Sequence, residues 1–89
     1  MGIAAQISLY PLRVARLSPA IDEVLRLFRE RGLDVIPGPM SSVITGDDAA
    51  VFGALQEAWE HTAGQAEVVM VVTFSNACPL PPAQATQKG

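Results

Sequence analysis

The chain has 89 residues, of which 49% are apolar and 17% are charged, and its net charge is −3. This composition is too hydrophobic for a disordered chain and fits one small domain. The acidic balance argues against a nucleic-acid-binding protein, because such proteins need a basic surface. The single cysteine and single histidine exclude an internal disulfide and a local zinc cluster.

No apolar run approaches the roughly 20 residues that span a bilayer, and the N-terminus lacks the basic start of a signal peptide. We therefore expect a cytoplasmic protein that does not insert into membranes. Because so short a chain buries only about 60% of its unfolded surface, association between copies would help to stabilise it.

The first half of the chain has the pattern of a strand followed by a helix. Residues 3–10 alternate between apolar and polar side chains, as in a half-buried strand, and Pro11 ends the run. Ser18 and Pro19 then form a typical helix start, and Gly32 is a natural stop for that helix. Apolar residues recur at helical spacing between these points.

The second half predicts a hairpin, a helix and a final strand. Short strands over 33–36 and 41–45 flank the bend Pro37-Gly38-Pro39. A second helix starts at Gly46-Asp47-Asp48 and ends before Gly64. Its apolar stripe is expected to comprise Val51, Phe52, Leu55, Ala58, Trp59 and Thr62, which makes Trp59 a core residue. The last strand runs over about 67–75.

This order of elements predicts an α+β fold of the ferredoxin-like type, βαββαβ, with a four-stranded antiparallel sheet and two helices on one face. We expect the domain to occupy residues 1–79. Residues 80–89 have two prolines and little to bury, and are expected to form a flexible tail.

The alternation of side chains separates the two faces of the sheet. Ile7, Leu9, Ser42, Ile44 and the even-numbered residues of the last strand should face the helices. The opposite, open face would then combine valines with hydroxyl groups, in a set formed by Ser8, Tyr10, Ser41, Thr45, Thr73 and Ser75. Hydroxyls among valines suit a small ligand, because a hydroxyl both donates and accepts hydrogen bonds. The alternative is that these hydroxyls only satisfy neighbouring groups.

The chain lacks a convincing set of catalytic residues. Cys78 as a nucleophile would need an activating partner, and His61 is predicted on the helix side of the sheet. No glycine-rich phosphate loop is present. We therefore expect a protein that is not an enzyme and uses no cofactor or metal, with Cys78 packed in the turn at Pro79.

Three motifs resemble one known family. They are Ser8-Leu9-Tyr10-Pro11, the segment GPMSSVITG at 38–46 and the segment TFSNACP at 73–79. Together they are similar to the YkoF-type family of thiamine- and hydroxymethylpyrimidine-binding proteins. The resemblance implies a ferredoxin-like domain that binds thiamine or its pyrimidine precursor in salvage or transport. It also implies a homodimer or homotetramer, since tandem members of the family pair two such domains.

Carried over by position, the resemblance implies a ligand pocket formed by Ser8, Tyr10, Ser41, Ser42, Thr45, Thr73, Ser75 and Asn76. The aromatic ring of Tyr10 would stack on the pyrimidine. Two other functions stay open: an interaction module whose open sheet face only pairs subunits, and an enzyme that uses Cys78.

Overall fold

The computed structural model describes residues 2–16 and 18–77. Its elements are β1 (Gly2–Pro11), α1 (Ser18–Glu30), β2 (Asp34–Pro37), β3 (Ser42–Asp47), α2 (Asp48–Ala63) and β4 (Val68–Ser75). The strands form one antiparallel sheet in the order β2-β3-β1-β4. The predicted α+β ferredoxin-like fold is confirmed. Cys78, Pro79 and the predicted tail over 80–89 lie outside the described residues.

Strand β1 lies at the centre of the sheet and pairs with both β3 and β4. Ile3, Ala5 and Ile7 on one of its faces are buried beneath the helices. Gln6 and Tyr10, on the opposite face, are exposed. The alternation read from the sequence therefore assigns the faces of β1 correctly.

The core fills the space between this face of β1 and the two helices. Phe28 of α1 and Ile44 of β3 are completely buried, and so are Ala54 and Ala58 of α2. Alanine has a small side chain, so α2 can approach the sheet closely at these two positions. No helix among the described residues is long and apolar enough to cross a membrane.

The end of α1 and both ends of α2 lie where the sequence predicts. Gly32 has a φ of +81°, a left-handed conformation that glycine adopts without steric cost, and the Leu33 amide donates to the Phe28 carbonyl at 3.2 Å. Asp47 caps α2, with its carboxylate accepting from the Ala49 amide at 3.3 Å. Gly64 is the C-cap of α2.

The predicted apolar stripe of α2 is wrong at two positions. The buried residues of this helix are Val51, Ala54, Leu55, Ala58 and Thr62. Phe52 and Trp59 are exposed, because at about 100° per residue they lie beyond Leu55, at one side of the buried stripe that runs from Ala54 to Leu55 around the helix. The helix turns its narrow stripe of small and aliphatic residues toward the sheet and leaves its two large aromatic side chains outside.

We expect Gly32→Ala to lower the free energy of unfolding by about 1 kcal/mol, because an alanine there must adopt the left-handed conformation. Gly53→Ala is the matched control. Its new methyl group meets only the Arg31 guanidinium at an ordinary 3.6 Å, so the better helix former should raise stability by about 0.5–1 kcal/mol. Urea denaturation measures the free energy of unfolding of both variants. If both were stabilised, or both destabilised, this account of the end of α1 would be contradicted.

Candidate functional site

A cavity of about 140 Å³ lies between α1, β1 and the loop that joins β2 to β3. Its floor comes from the helix-facing side chains Ile7 and Leu9 of β1. One wall comes from α1 and the other from the loop. The full lining is Ile7, Leu9, Ile21, Val24, Leu25, Phe28, Gly38, Pro39, Met40, Ser41 and Ser42.

The β2–β3 loop has a conformation that depends on glycine at its first position. A Cβ atom added to Gly38 would lie only 2.7 Å from the Ser41 carbonyl oxygen. Pro39, next to it, has a fixed φ and restricts the preceding residue as well. These constraints hold the loop at the cavity wall, where Met40 has 77% of its surface exposed.

Two serines, Ser41 and Ser42, are the polar residues of the cavity lining. Ser42 pairs with Ile7 across the β1–β3 ladder and shares its helix-facing side. The Ser41 hydroxyl accepts a hydrogen bond of 3.1 Å from the Gln6 amide, and Gln6 lies on the open face. The Ser41 hydroxyl is therefore engaged on the open face, and Ser42 is the serine whose position faces the cavity side of the sheet.

The remaining predicted site residues lie elsewhere. Ser8, Tyr10 and Thr73 lie on the open face, where the register places Val71, Val69 and Gln6 opposite them. The Tyr10 ring is exposed there, and Thr73 is exposed as well. In one chain these three groups form a sheet surface on the side away from the helices.

Thr45 and the end of β4 occupy two further places. Thr45 lies on the open face between Ala4 and Asp34, but it is buried. Ser75 and Asn76 line a shallow depression together with Ile3, Asp48, Phe52 and Phe74. The structure therefore brings Ser41 and Ser42 together at the cavity and leaves the other six predicted residues outside it.

Several charged side chains form ion pairs away from the cavity. Arg31 of the α1 end pairs with Glu57 of α2, and Arg26 pairs with Glu23 and Glu30 along α1. The hydrogen bond from Arg26 lowers the pKa of the Glu23 carboxyl. No charged residue belongs to the cavity lining, and the described residues contain no cluster suited to a metal ion. The site is chemically a neutral, mostly apolar cavity, with Ser42 as the serine on its helix-facing side.

Sequence reasoning missed the α1 wall of this cavity. The alternation of side chains along the strands points to the open face, and the helical spacing of apolar residues such as Val24 and Phe28 indicates only a buried helix stripe. A signal was nevertheless available at Ser42, a small polar residue at a position that faces the helices. A short side chain there leaves space that a larger aliphatic residue would fill.

Comparisons with known proteins agree with the fold. A model of the YKOF-related family matches residues 3–81. A hypothetical protein of Methanocaldococcus jannascii is 21% identical with a TM-score of 0.82, over 98% of this chain and 93% of that one. A Thermotoga maritima protein named "putative thiamine biosynthesis/salvage protein" is 16% identical with a TM-score of 0.81, over 99% and 98%. A Streptococcus pneumoniae protein is 19% identical with a TM-score of 0.83, over 98% and 99%. No curated protein sequence matches significantly.

We expect Gly38→Ala to destabilise the protein by about 1–3 kcal/mol, because the new methyl group must displace the Ser41 backbone. Met40→Ala in the same loop is the control. Its side chain is mostly exposed, so the change should stay within about 0.5 kcal/mol. Chemical denaturation followed by circular dichroism gives both values, and a neutral Gly38→Ala would show that the loop rearranges freely.

Proposed function

We propose that this chain, which belongs to the YKOF-related family, binds thiamine or its hydroxymethylpyrimidine precursor without catalysing a reaction. The observation that carries the proposal is the cavity beside α1, which holds Ser41 and Ser42 of the family-like segment GPMSSVITG. The Thermotoga maritima protein of the same fold supports it through its name.

The size and lining of the cavity suit one flat heterocycle. An apolar cavity of about 150 Å³ in another protein holds a benzene ring, so about 140 Å³ accommodates one six-membered ring. An aminopyrimidine presents ring nitrogens that accept and an amino group that donates. The hydroxyl of Ser42 supplies a complementary donor and acceptor, and the aliphatic walls cover the ring faces.

The absence of charge from the cavity lining limits which part of thiamine enters it. Transferring a cation into an apolar site without a partner is costly, so the thiazolium ring remains at the mouth, beside the exposed Met40. The pyrimidine half alone fits the interior. Hydroxymethylpyrimidine satisfies the same contacts without a charge.

The protein works as a homo-oligomer in the cytoplasm, in salvage or transport of the ligand. The proposed site in the cavity does not use Ser8, Tyr10, Thr45, Thr73, Ser75 or Asn76, and their role as ligand contacts stays a separate prediction. In a single chain they are separated from the cavity, so a role for them requires a ligand on the open face or at a subunit contact.

A second candidate function is an interaction module that binds no small molecule. The specific observation in its favour is the set of exposed apolar side chains on the open face, Tyr10, Val69 and Val71. Under this alternative the cavity beside α1 stays without a ligand.

Calorimetric titration with hydroxymethylpyrimidine and thiamine tests the proposal. We expect binding of both, weakened about 3- to 10-fold by Ser42→Ala through the loss of one hydrogen bond. Thr73→Val on the open face is the matched control and should leave the affinity unchanged. If Thr73→Val weakened binding and Ser42→Ala did not, the ligand would bind at the open face and not in the cavity. The absence of heat and of a thermal shift at millimolar ligand would refute the binding function.

Phosphorylated thiamine gives an independent prediction. Because no basic residue lines the cavity, thiamine diphosphate should bind at least about tenfold more weakly than hydroxymethylpyrimidine. Competition titration of the two compounds measures the ratio. Preference for the diphosphate would show that the recognising groups lie outside this cavity.

A further inference from the structure

We propose that Gln6 is a positioning residue for the ligand cavity: from the open face of the sheet, its side chain fixes the β2–β3 loop that forms one cavity wall. The inference rests on the function proposed above and adds to it a residue outside the cavity lining. The contact that carries it is the hydrogen bond of 3.1 Å from the Gln6 side-chain amide to the Ser41 hydroxyl.

The register of the sheet explains why Gln6 reaches this loop. Gln6 of the central strand β1 lies opposite Val43 of β3, and Ser41 lies two positions before Val43. Diagonal neighbours of this kind on one face of an antiparallel pair are about 7–8 Å apart, which a long side chain can span. A glutamine amide at this position can therefore donate to a hydroxyl in the loop.

The bond acts at the point where both ladders of β3 have ended. On the loop side, the pairing of β3 with β1 ends at Ser42 and Ile7, and its pairing with β2 ends at Ser42 and Pro37. Among the residues that the structure describes, residues 38–41 have no ladder partner. The side chain of Gln6 thus ties the loop to the sheet just beyond the last paired residue.

Ser41 transmits this constraint to the rest of the cavity wall. A Cβ atom at Gly38 would lie only 2.7 Å from the Ser41 carbonyl oxygen, so the two ends of the loop are in close contact. Pro39 between them has a fixed φ. Gly38, Pro39, Met40 and Ser41 all line the cavity, so a displacement of Ser41 changes the wall.

Holding the loop before the ligand arrives should raise the affinity. A loop that is free in the empty protein must be ordered when the ligand binds, and that ordering costs free energy. The bond from Gln6 lowers this cost because the wall is already in place. Gln6 is itself exposed, so its loss should affect ligand binding more than stability.

Calorimetric titration with hydroxymethylpyrimidine tests the positioning role. Gln6→Met keeps the length of the side chain but removes the donor, and we expect the affinity to fall about 3- to 10-fold with an unchanged urea midpoint. Gln6→Glu should restore most of the affinity, because its carboxylate accepts from the Ser41 hydroxyl. Val71→Thr, an isosteric change elsewhere on the open face, is the matched control and should bind like the wild type. If the wild type bound and Gln6→Met bound equally well, or if Gln6→Glu restored nothing, the proposal would be overturned.

A double-mutant cycle shows whether the effect passes through Ser41. Gln6→Met and Ser41→Ala remove the same bond, so the double variant should bind no more weakly than either single variant. The losses from Gln6→Met and Ser42→Ala should instead add, because Ser42 is the proposed ligand contact. Additive losses for Gln6→Met and Ser41→Ala would contradict the positioning role.

Backbone order parameters from NMR relaxation give a measurement that needs no ligand. At Met40 and Ser41 we expect values near the roughly 0.85 of a rigid backbone in the wild type, falling toward about 0.6 in Gln6→Met. The amide of Leu25 in α1 serves as the internal reference and should not change. Equal order parameters for Met40 and Ser41 in both proteins would refute the link. A wild type that binds no hydroxymethylpyrimidine, with order parameters that do fall in Gln6→Met, would refute the proposed function and support the link between Gln6 and the loop.

Discussion

The structure depends above all on the alternation of side chains along β1. This strand pairs with β3 on one side and β4 on the other, so its register fixes both. Ile3, Ala5 and Ile7 form the floor on which the helices pack. A shift of one residue would exchange them with Ala4, Gln6 and Ser8, which would put polar groups in the core. The same alternation sets the floor of the cavity and the polarity of the open face.

Local chemistry explains why the order of elements was predictable. The left-handed Gly32 and the Asp47 cap act on neighbouring backbone groups, and their effects can be read without knowing the fold. The rotation of α2 is different, because it depends on which residues the sheet can accept. Ala54 and Ala58 permit a close approach of α2 to the sheet that Phe52 and Trp59 would prevent. The small residues are therefore buried, and the larger apolar residues remain exposed. The cavity could not be predicted from the sequence either, because it forms where the side chains of α1, β1 and the β2–β3 loop leave space between them.

The cavity is a departure from the close packing that protein interiors usually have, in a domain with little core to spare. A larger side chain at Ser42 would reduce that space, and the loop glycine at Gly38 also keeps the wall in place. Departures from close packing of this kind are expected at functional sites, where a ligand recovers the lost contacts.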